Sequence, residues 1–399
     1  MTIRNYKLNS EQENLVAAIR SLKKGGRLIG SGRAGSGKTF AISRSVEDRK
    51  ALFLAPTHPA KAILERELSG TGHRVMTIQG AIGWKKEYAQ DGLTPVNTYR
   101  PAKMAKNGRS KSPFGDAEII IVDESSMVGK YLFNATEDYA NEFGLPVVYS
   151  GDPFQLPPVN DEEVIHLQGF ETIALQESMR FSKDSRIFGL GEELRNSIQH
   201  HPNQTFGCIL GGGDVEVVSA ADWTSGAKTD YAKGASMLAV TSDNKKQRAL
   251  RAHIRGGDDD RLRAGDVVIS KQTDELFRNG QVFKVVKVEP GQKALPDVPK
   301  CLGLKGELIV DGFYLTLEDC ISPAFVFAND DDRGKLRRRV NRLYENNKLT
   351  YRQAAYVLKW VDQINSFELA AFATVHKSQG RSVDSIYMNR SGFAGGSNS

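Results

Sequence analysis

The chain is 399 residues long, 40% hydrophobic and 26% charged, with a formal net charge of +6 and a sequence pI near 9.0. Such a composition belongs to a soluble globular protein with room for two or three packed units, and its mild basic excess hints at a polyanionic partner. No run of about 18 apolar residues occurs and residues 1–7 lack the apolar centre of a secretory signal, which excludes a membrane-spanning chain and predicts a cytoplasmic protein, in host cytoplasm if the source is viral.

From Arg27 to Asp152, short apolar runs alternate with polar or Gly-rich turns. Leu28-Ile29-Gly30, Ala51-Leu52-Phe53-Leu54, Ile119-Ile120-Ile121-Val122 and Pro146-Val147-Val148-Tyr149 read as strands buried on both faces, with a helical pattern over residues 60–68 between two of them. Alternating strand and helix predicts an α/β fold with a parallel sheet, whose ligands bind at the carboxyl ends of the strands. Between Trp84 and Pro113, seven cations (Lys85, Lys86, Arg100, Lys103, Lys106, Arg109, Lys111) stand against Glu87 and Asp91, so a net +5 sits in one insertion. The theme returns in Val215-Glu216-Val217-Val218, Met237-Leu238-Ala239-Val240 and Ser385-Ile386-Tyr387-Met388, three further candidate strands.

Between about residues 256 and 365 the texture changes. Alternating runs at residues 266–270, 281–288 and 313–317, separated by Asn279-Gly280 and Pro/Gly-rich turns, predict a small β barrel. A basic helix over 335–346 and a second helix over 350–364 close this insertion. Cys208, Cys301 and Cys320 are odd in number and lack CxxC spacing, and the seven histidines lack ligand spacing, so neither a disulfide framework nor a zinc site is expected.

Four motifs carry chemistry. Gly32-Arg33-Ala34-Gly35-Ser36-Gly37-Lys38-Thr39 follows a strand and opens a helix near Lys38. Glycines at these positions let backbone N–H groups turn inward on phosphate oxygens, with Lys38 reaching the β and γ phosphates of ATP and the Thr39 hydroxyl on Mg²⁺. Asp123-Glu124 ends an apolar strand, where the first carboxylate can hold the Mg²⁺ shell and the second can orient or deprotonate a water. Gly151-Asp152-Pro153-Phe154-Gln155 and Thr374-Val375-His376-Lys377-Ser378-Gln379-Gly380 complete the set.

With Ala55-Pro56-Thr57-His58 and Asp123-Glu124-Ser125-Ser126-Met127, this ordered set resembles the superfamily-1 helicases of the RecD-like branch, with the small Dda helicases of T-even phages as the nearest likeness. The resemblance runs from about Leu8 to Tyr387. It implies two RecA-like domains with parallel sheets: 1A over 1–170 with a basic hairpin insertion 1B at about 84–116, 2A over 171–255 plus 366–399, and an SH3-like β module 2B over 256–365. It implies that Gln12 reads the adenine edge, that Gln155 senses the γ phosphate, that Arg180 points at it, and that Gly380 lines the nucleotide site. A single-stranded DNA track would use His58, Thr77, Gln79, Thr241, Thr374 and His376, short polar groups suited to phosphate and sugar contacts that carry no sequence information. A capping Thr or structural His is the alternative at each of these positions.

The expected activity is ATP-driven movement on single-stranded DNA with unwinding of duplex junctions, 5′ to 3′ by resemblance, as a monomer that works beside single-stranded DNA-binding or replication proteins. The hairpin at 84–116, which the resemblance makes the element that splits the duplex, mixes Trp84, Tyr88, Tyr99 and Phe114 with its cations, the combination that single strands favour; the alternative is a solvated loop. Arg337-Arg338-Arg339 is either a solvated face or a DNA contact. The resemblance also places a last arginine motif beyond Ser399, so three readings stay open: a truncated sequence, a protein that relies on Arg180, or an ATP- and DNA-binding regulator without unwinding.

Overall fold

The computed structural model describes residues 7–33, 35–83, 85–88, 95–98, 112–158, 161–179, 182, 184–200, 211–257, 261–272, 276–294, 309–378, 381 and 383–388. The chain divides into two compact units, Met1–Lys85 with Thr98–Val217, and Lys86–Asn97 with Val218–Ser399.

The first unit opens with α1 (Ser10–Ser21), β1 (Arg27–Gly32), α2 (Lys38–Ser45), β2 (Ala51–Ala55), α3 (His58–Glu67), β3 (Arg74–Thr77) and the short α4 (Ile78–Ala81). Next in the chain come β4 (Lys85–Tyr88) and β5 (Pro95–Thr98), a two-stranded sheet that falls almost wholly in the second unit. After it come β6 (Ile119–Val122), α5 (Lys130–Phe143), β7 (Val147–Gly151), β8 (Glu171–Leu175) and α6 (Arg186–His200). Six of the strands form one parallel sheet in the order β3-β2-β6-β7-β1-β8. β2 and β6 are apolar throughout because each of their faces meets a different core. Ile120 and Val122 of β6 join Leu52, Leu54, Val147 and Tyr149 on one side, while Ile119 and Ile121 join Phe53, Ala55 and Val148 on the other. β1 lies inside the sheet between β7 and β8, so the loop after it opens at an interior strand end, where α/β sheets place ligands. The first unit runs to Val217, past the boundary expected near residue 170, because β8 extends its sheet beside β1.

The second unit contains α7 (Ala220–Ala232), β9 (Met237–Thr241), α8 (Asn244–Arg255), β10 (Val267–Ser270), β11 (Val282–Ala294), β12 (Ile309–Leu317) and β13 (Ala324–Phe327). It continues through α9 (Asp330–Glu345), α10 (Tyr351–Gln363), β14 (Phe367–Leu369), β15 (Phe372–Thr374), α11 (Val375–Ser378) and β16 (Ser385–Met388). A parallel sheet β15-β9-β16 and an antiparallel sheet β13-β12-β11-β10-β14 share one core, in which Met237, Ala239 and Phe372 meet Phe277, Phe283, Leu315 and Phe367. The Tyr231 phenol donates to Asp266 at 3.1 Å, and the buried Arg255 guanidinium bonds the other oxygen of Asp266 at 2.7 Å, tying α7 and α8 to the turn before β10. Burial, with the Asp266 charge second, pushes the Tyr231 phenol up to about 12.

The strand expected at residues 215–218 does not form. Val215 makes only an isolated bridge to Gly212, Val217 and Val218 are exposed, and Ser219 caps α7 immediately afterwards. An apolar run becomes a strand only where a neighbour accepts its hydrogen bonds, and none of the described strands lies beside it. Most of the expected basic hairpin at 84–116 lies outside the described residues. No helix among the described residues is long and apolar enough to cross a membrane.

Candidate nucleotide site and strand-end track

The phosphate loop is shaped by glycines that no other residue could replace cheaply. Gly37 has φ +77°, and a Cβ there would fall 2.5 Å from Gln12 Nε2; a Cβ on Gly32 would sit 2.8 Å from both Leu175 O and Ser36 Oγ. Gly35 also has φ +77°. Gln12 is fixed by a capping box with Asn9 and donates from Nε2 to Ser36 O at 3.0 Å, so α1 holds the loop from behind. Glu11 accepts from the backbone N–H groups of Gln176 and Glu177, and Met179 N–H donates to Gly35 O at 2.8 Å. The segment that leads into Arg180 is thereby bound to the loop. Ala34, Arg180 and Gly380 lie outside the described residues, as does the His376 side chain.

Lys38, the first residue of α2, donates from Nζ to Gly32 O at 2.7 Å and to Arg33 O at 3.1 Å. Burial lowers its pKa, opposed by the carboxylates of Asp123, Glu124 and Asp152. Asp123 follows β6 and its pKa is raised by burial, opposed by the Ser150 hydroxyl and by Lys38. Thr39 is the next residue of α2. Glu124 adopts φ 49° and ψ 45°, the left-handed region that a non-glycine residue occupies at a cost of roughly 1–3 kcal/mol. Such strain persists where the surroundings impose it, here a turn that follows Asp123 directly.

The site fits a magnesium-bound nucleoside triphosphate on its own geometry. Ser36 Oγ is buried with no hydrogen-bond partner among the described residues, beside a cradle that Cβ atoms would fill. Asp123, whose ionisation burial disfavours, gains most from a divalent cation.

Asp152 lies in a motif of the sequence, whereas Arg195 carries no motif signal. Asp152 accepts a bidentate fork from Arg195 of α6, Nη1 at 2.9 Å and Nη2 at 2.7 Å, and its Oδ1 also accepts Phe154 N–H at 3.1 Å. The Arg195 guanidinium lies 4.5 Å from the Phe154 ring centroid. One and two turns earlier, Glu192 pairs with Arg33 at 2.5 Å and Phe188 lies under the Arg33 guanidinium at 5.8 Å. Phe188, Glu192 and Arg195, at helical spacing, thus fasten one face of α6 to both the phosphate loop and the Gly-Asp-Pro-Phe-Gln turn that carries Gln155. Only the spacing of those three residues could have signalled this, since the arginine stands 43 positions from its partner. Arg195→Ala strands a buried carboxylate and is expected to cost about 3 kcal/mol in urea unfolding, with Arg195→Lys intermediate because it keeps the charge but loses the fork.

The candidate DNA contacts fall at carboxyl strand ends. In the first unit, His58 opens α3 just past β2, and Thr77 ends the neighbouring β3, where its hydroxyl accepts Gly80 N–H at 3.1 Å. Gln79 donates to Pro56 O at 3.4 Å. Burial, with Lys61 second, lowers the His58 pKa. In the second unit, Thr374 and Thr241 are register partners at the ends of β15 and β9, and Thr241 donates to Asp243 O at 3.2 Å.

Residues 7–205 match the family model described as an AAA domain. A protein named ATP-dependent DNA helicase Pif1, from Bdellovibrio bacteriovorus, is 29% identical over 229 residues, 50% of this chain and 48% of that one. The chain is thus similar to proteins named Pif1 helicases over part of its length. An uncharacterized protein of Acanthamoeba polyphaga mimivirus is 28% identical over 150 residues, 33% of this chain and 29% of that one. The chain therefore spans less than half the length of these curated relatives. Among solved structures, Pif1 helicase from Bacteroides in complex with ADP-AlF3 and single-stranded DNA superimposes with a TM-score of 0.54 at 18% identity, over 96% of this chain and 86% of that one. A Pif1 structure describing unwinding at forked duplex DNA gives 0.52 at 17% identity, with the same coverage. These likenesses show the fold, two RecA-like domains.

Proposed function

We propose that this protein is a Pif1-like, ATP-dependent DNA helicase that moves on single-stranded DNA and unwinds duplexes, 5′ to 3′ as its likeness to the RecD-like and Dda helicases implies. The observation that carries this reading is the convergence of Lys38, Asp123, Glu124 and Asp152 around a loop held open by Gly32, Gly35 and Gly37.

In this reading Gln12 meets the adenine, and the loop from Gly32 to Thr39, Ala34 and Ser36 included, cradles the triphosphate. Lys38 neutralises the β and γ phosphates. Thr39 and Asp123 hold Mg²⁺, which supplies charge neutralisation at the transferring phosphoryl group. Glu124 orients the attacking water and takes its proton, Gln155 senses the γ phosphate through the turn that Arg195 fastens, and Arg180 stabilises developing negative charge. Gly380 lines the nucleotide site from the second domain. His58, Thr77 and Gln79 in domain 1A, with Thr241, Thr374 and His376 in 2A, bind the sugar–phosphate backbone. The antiparallel sheet is assigned to the SH3-like module 2B. The protein acts as a monomer at duplex junctions, beside single-stranded DNA-binding or replication proteins.

Unwinding of 5′-tailed against 3′-tailed duplexes tests this directly. Strand separation on the 5′ tail alone, dependent on ATP, is the expected result. Failure on both tails with DNA still bound would favour a nucleotide-dependent regulator instead.

A further inference from the structure

We propose that the exposed basic row of α9, in the α9–α10 hairpin, binds the phosphate backbone of duplex DNA, an inference that rests on the helicase reading and gives it a second DNA surface. The hairpin has its own core. Leu336, Val340, Leu343 and Tyr344 of α9 pack with Val357, Leu358, Trp360 and Val361 of α10 and with Phe325 of β13. That inward stripe, spaced i, i+4, i+7 and i+8, forces Lys335, Arg338, Arg339 and Arg342, spaced i, i+3, i+4 and i+7, onto one exposed row about 10 Å long.

The cations of this hairpin serve two purposes. Arg333 donates to the carbonyls of Val361, Ile364 and Asn365 and closes the end of α10, while Arg337 pairs with Asp362. These hold the helices together. Lys335 is paired with Asp332 at its own end of α9. Arg338, Arg339, Arg342, Lys348, Arg352 and Lys359 are exposed and make no ion pair with a described residue. The whole hairpin, residues 330–363, holds nine Lys/Arg against five acids, a net of +4, and the surplus is concentrated in residues 335–342, with five cations and no acid.

A helix face that is only solvated intersperses signs, because like charges three and four residues apart repel. Between Lys335 and Arg342 the α9 row carries one sign, bounded by Asp331, Asp332 and Glu345 at its ends, and its self-repulsion is relieved by an array of phosphates. The row is convex and offers no aromatic ring, whereas single-strand binding combines cations with stacking platforms in a groove. The exposed rings nearby, Tyr351 and Tyr356, belong to α10. A rigid convex row of guanidinium groups suits the continuous phosphate ridge of a duplex, read without regard to sequence.

The test is the full-length chain carrying Arg338→Ala, Arg339→Ala and Arg342→Ala together, substitutions at exposed sites where Ala favours helix. Binding to a blunt duplex and to a single strand of equal length is measured across a salt titration, alongside single-strand-stimulated ATP hydrolysis and a thermal melt. Duplex affinity is expected to fall at least about tenfold, and the slope of log K against log salt to become shallower by about 2–3, at roughly 0.9 for every phosphate that the variant no longer neutralises. Single-strand affinity, stimulated hydrolysis and the melt are expected to stay unchanged. An unaltered duplex slope overturns the proposal, and so does an equal weakening on the single strand, which would make this face part of the single-strand track. A wild-type chain whose hydrolysis ignores single strands would instead defeat the helicase reading, while the duplex arm still reports on this face.

Discussion

Lys38→Ala is expected to reduce ATP hydrolysis by about 10²–10³-fold and to abolish its stimulation by single-stranded DNA, the loss that follows when one preorganised donor is removed from developing phosphoryl charge. The Lys38 ammonium is largely withdrawn from water, its pKa lowered by that burial and held up by Asp123, Glu124 and Asp152. It bonds two loop carbonyls in a pocket whose walls are backbone, so no other described cation is positioned to replace it there. The Arg195 guanidinium is committed to Asp152. Phosphate release measured with and without single-stranded DNA checks this, and stimulated hydrolysis that survived the substitution would remove Lys38 from the centre of the site. DNA binding in the absence of nucleotide should survive, because the strand-end hydroxyls and His58 act independently of the loop.

Asp123→Asn is expected to make the protein more stable at neutral pH while removing magnesium-dependent hydrolysis. The Asp123 carboxyl in the folded chain titrates above its ordinary 3.8, chiefly because burial disfavours the charged form. The folded state then holds the proton more tightly than the unfolded one, so this group's stabilising contribution is full below the unfolded value and is lost as pH rises through the folded value. As pH rises toward neutrality the carboxylate is driven to ionise in a setting that disfavours it, a stability cost tolerated where chemistry needs the charge. The isosteric amide removes that charge, and a gain of about 0.5–2 kcal/mol is expected in the absence of nucleotide and metal. Thermal unfolding at pH 7 and pH 4 checks the sign, because the advantage of the variant should shrink at the acid end. A variant less stable than the native chain at pH 7 would show that the pairing of Asp123 with Lys38 outweighs desolvation.

Much of this was legible in the residues themselves. The strands at β1, β2, β6, β7, β9, β10, β11, β12 and β16 were marked by apolar runs or by alternation, and residues 350–364 matched α10 together with its Thr350 cap and Ile364 C-cap. β3 and β8 escaped notice because their accessible positions interrupt the apolar run: Arg74 and Glu171 are exposed at edge strands of the sheet. The converse error fell at residues 215–218, where an apolar run has no strand beside it. Among the site groups, Lys38 and Asp123 carry motif signals, whereas Arg195 sits in a helix without one and acquires its role only because α6 packs by the turn after β7.

The sequence by itself determined the phosphate loop, the acidic pair and the alternation that makes a parallel sheet, since each depends on residue type at short range: glycines that permit positive φ, carboxylates at a strand end, apolar runs buried on both faces. Only the tertiary structure decided that β8 joins the first sheet, that Thr241 and Thr374 stand side by side, that Asp152 is held by Arg195, and which arginines of α9 bind the fold and which face water. These depend on which distant elements come into register, and that is settled by packing and hydrogen-bond satisfaction over the whole domain, which no local window of sequence contains.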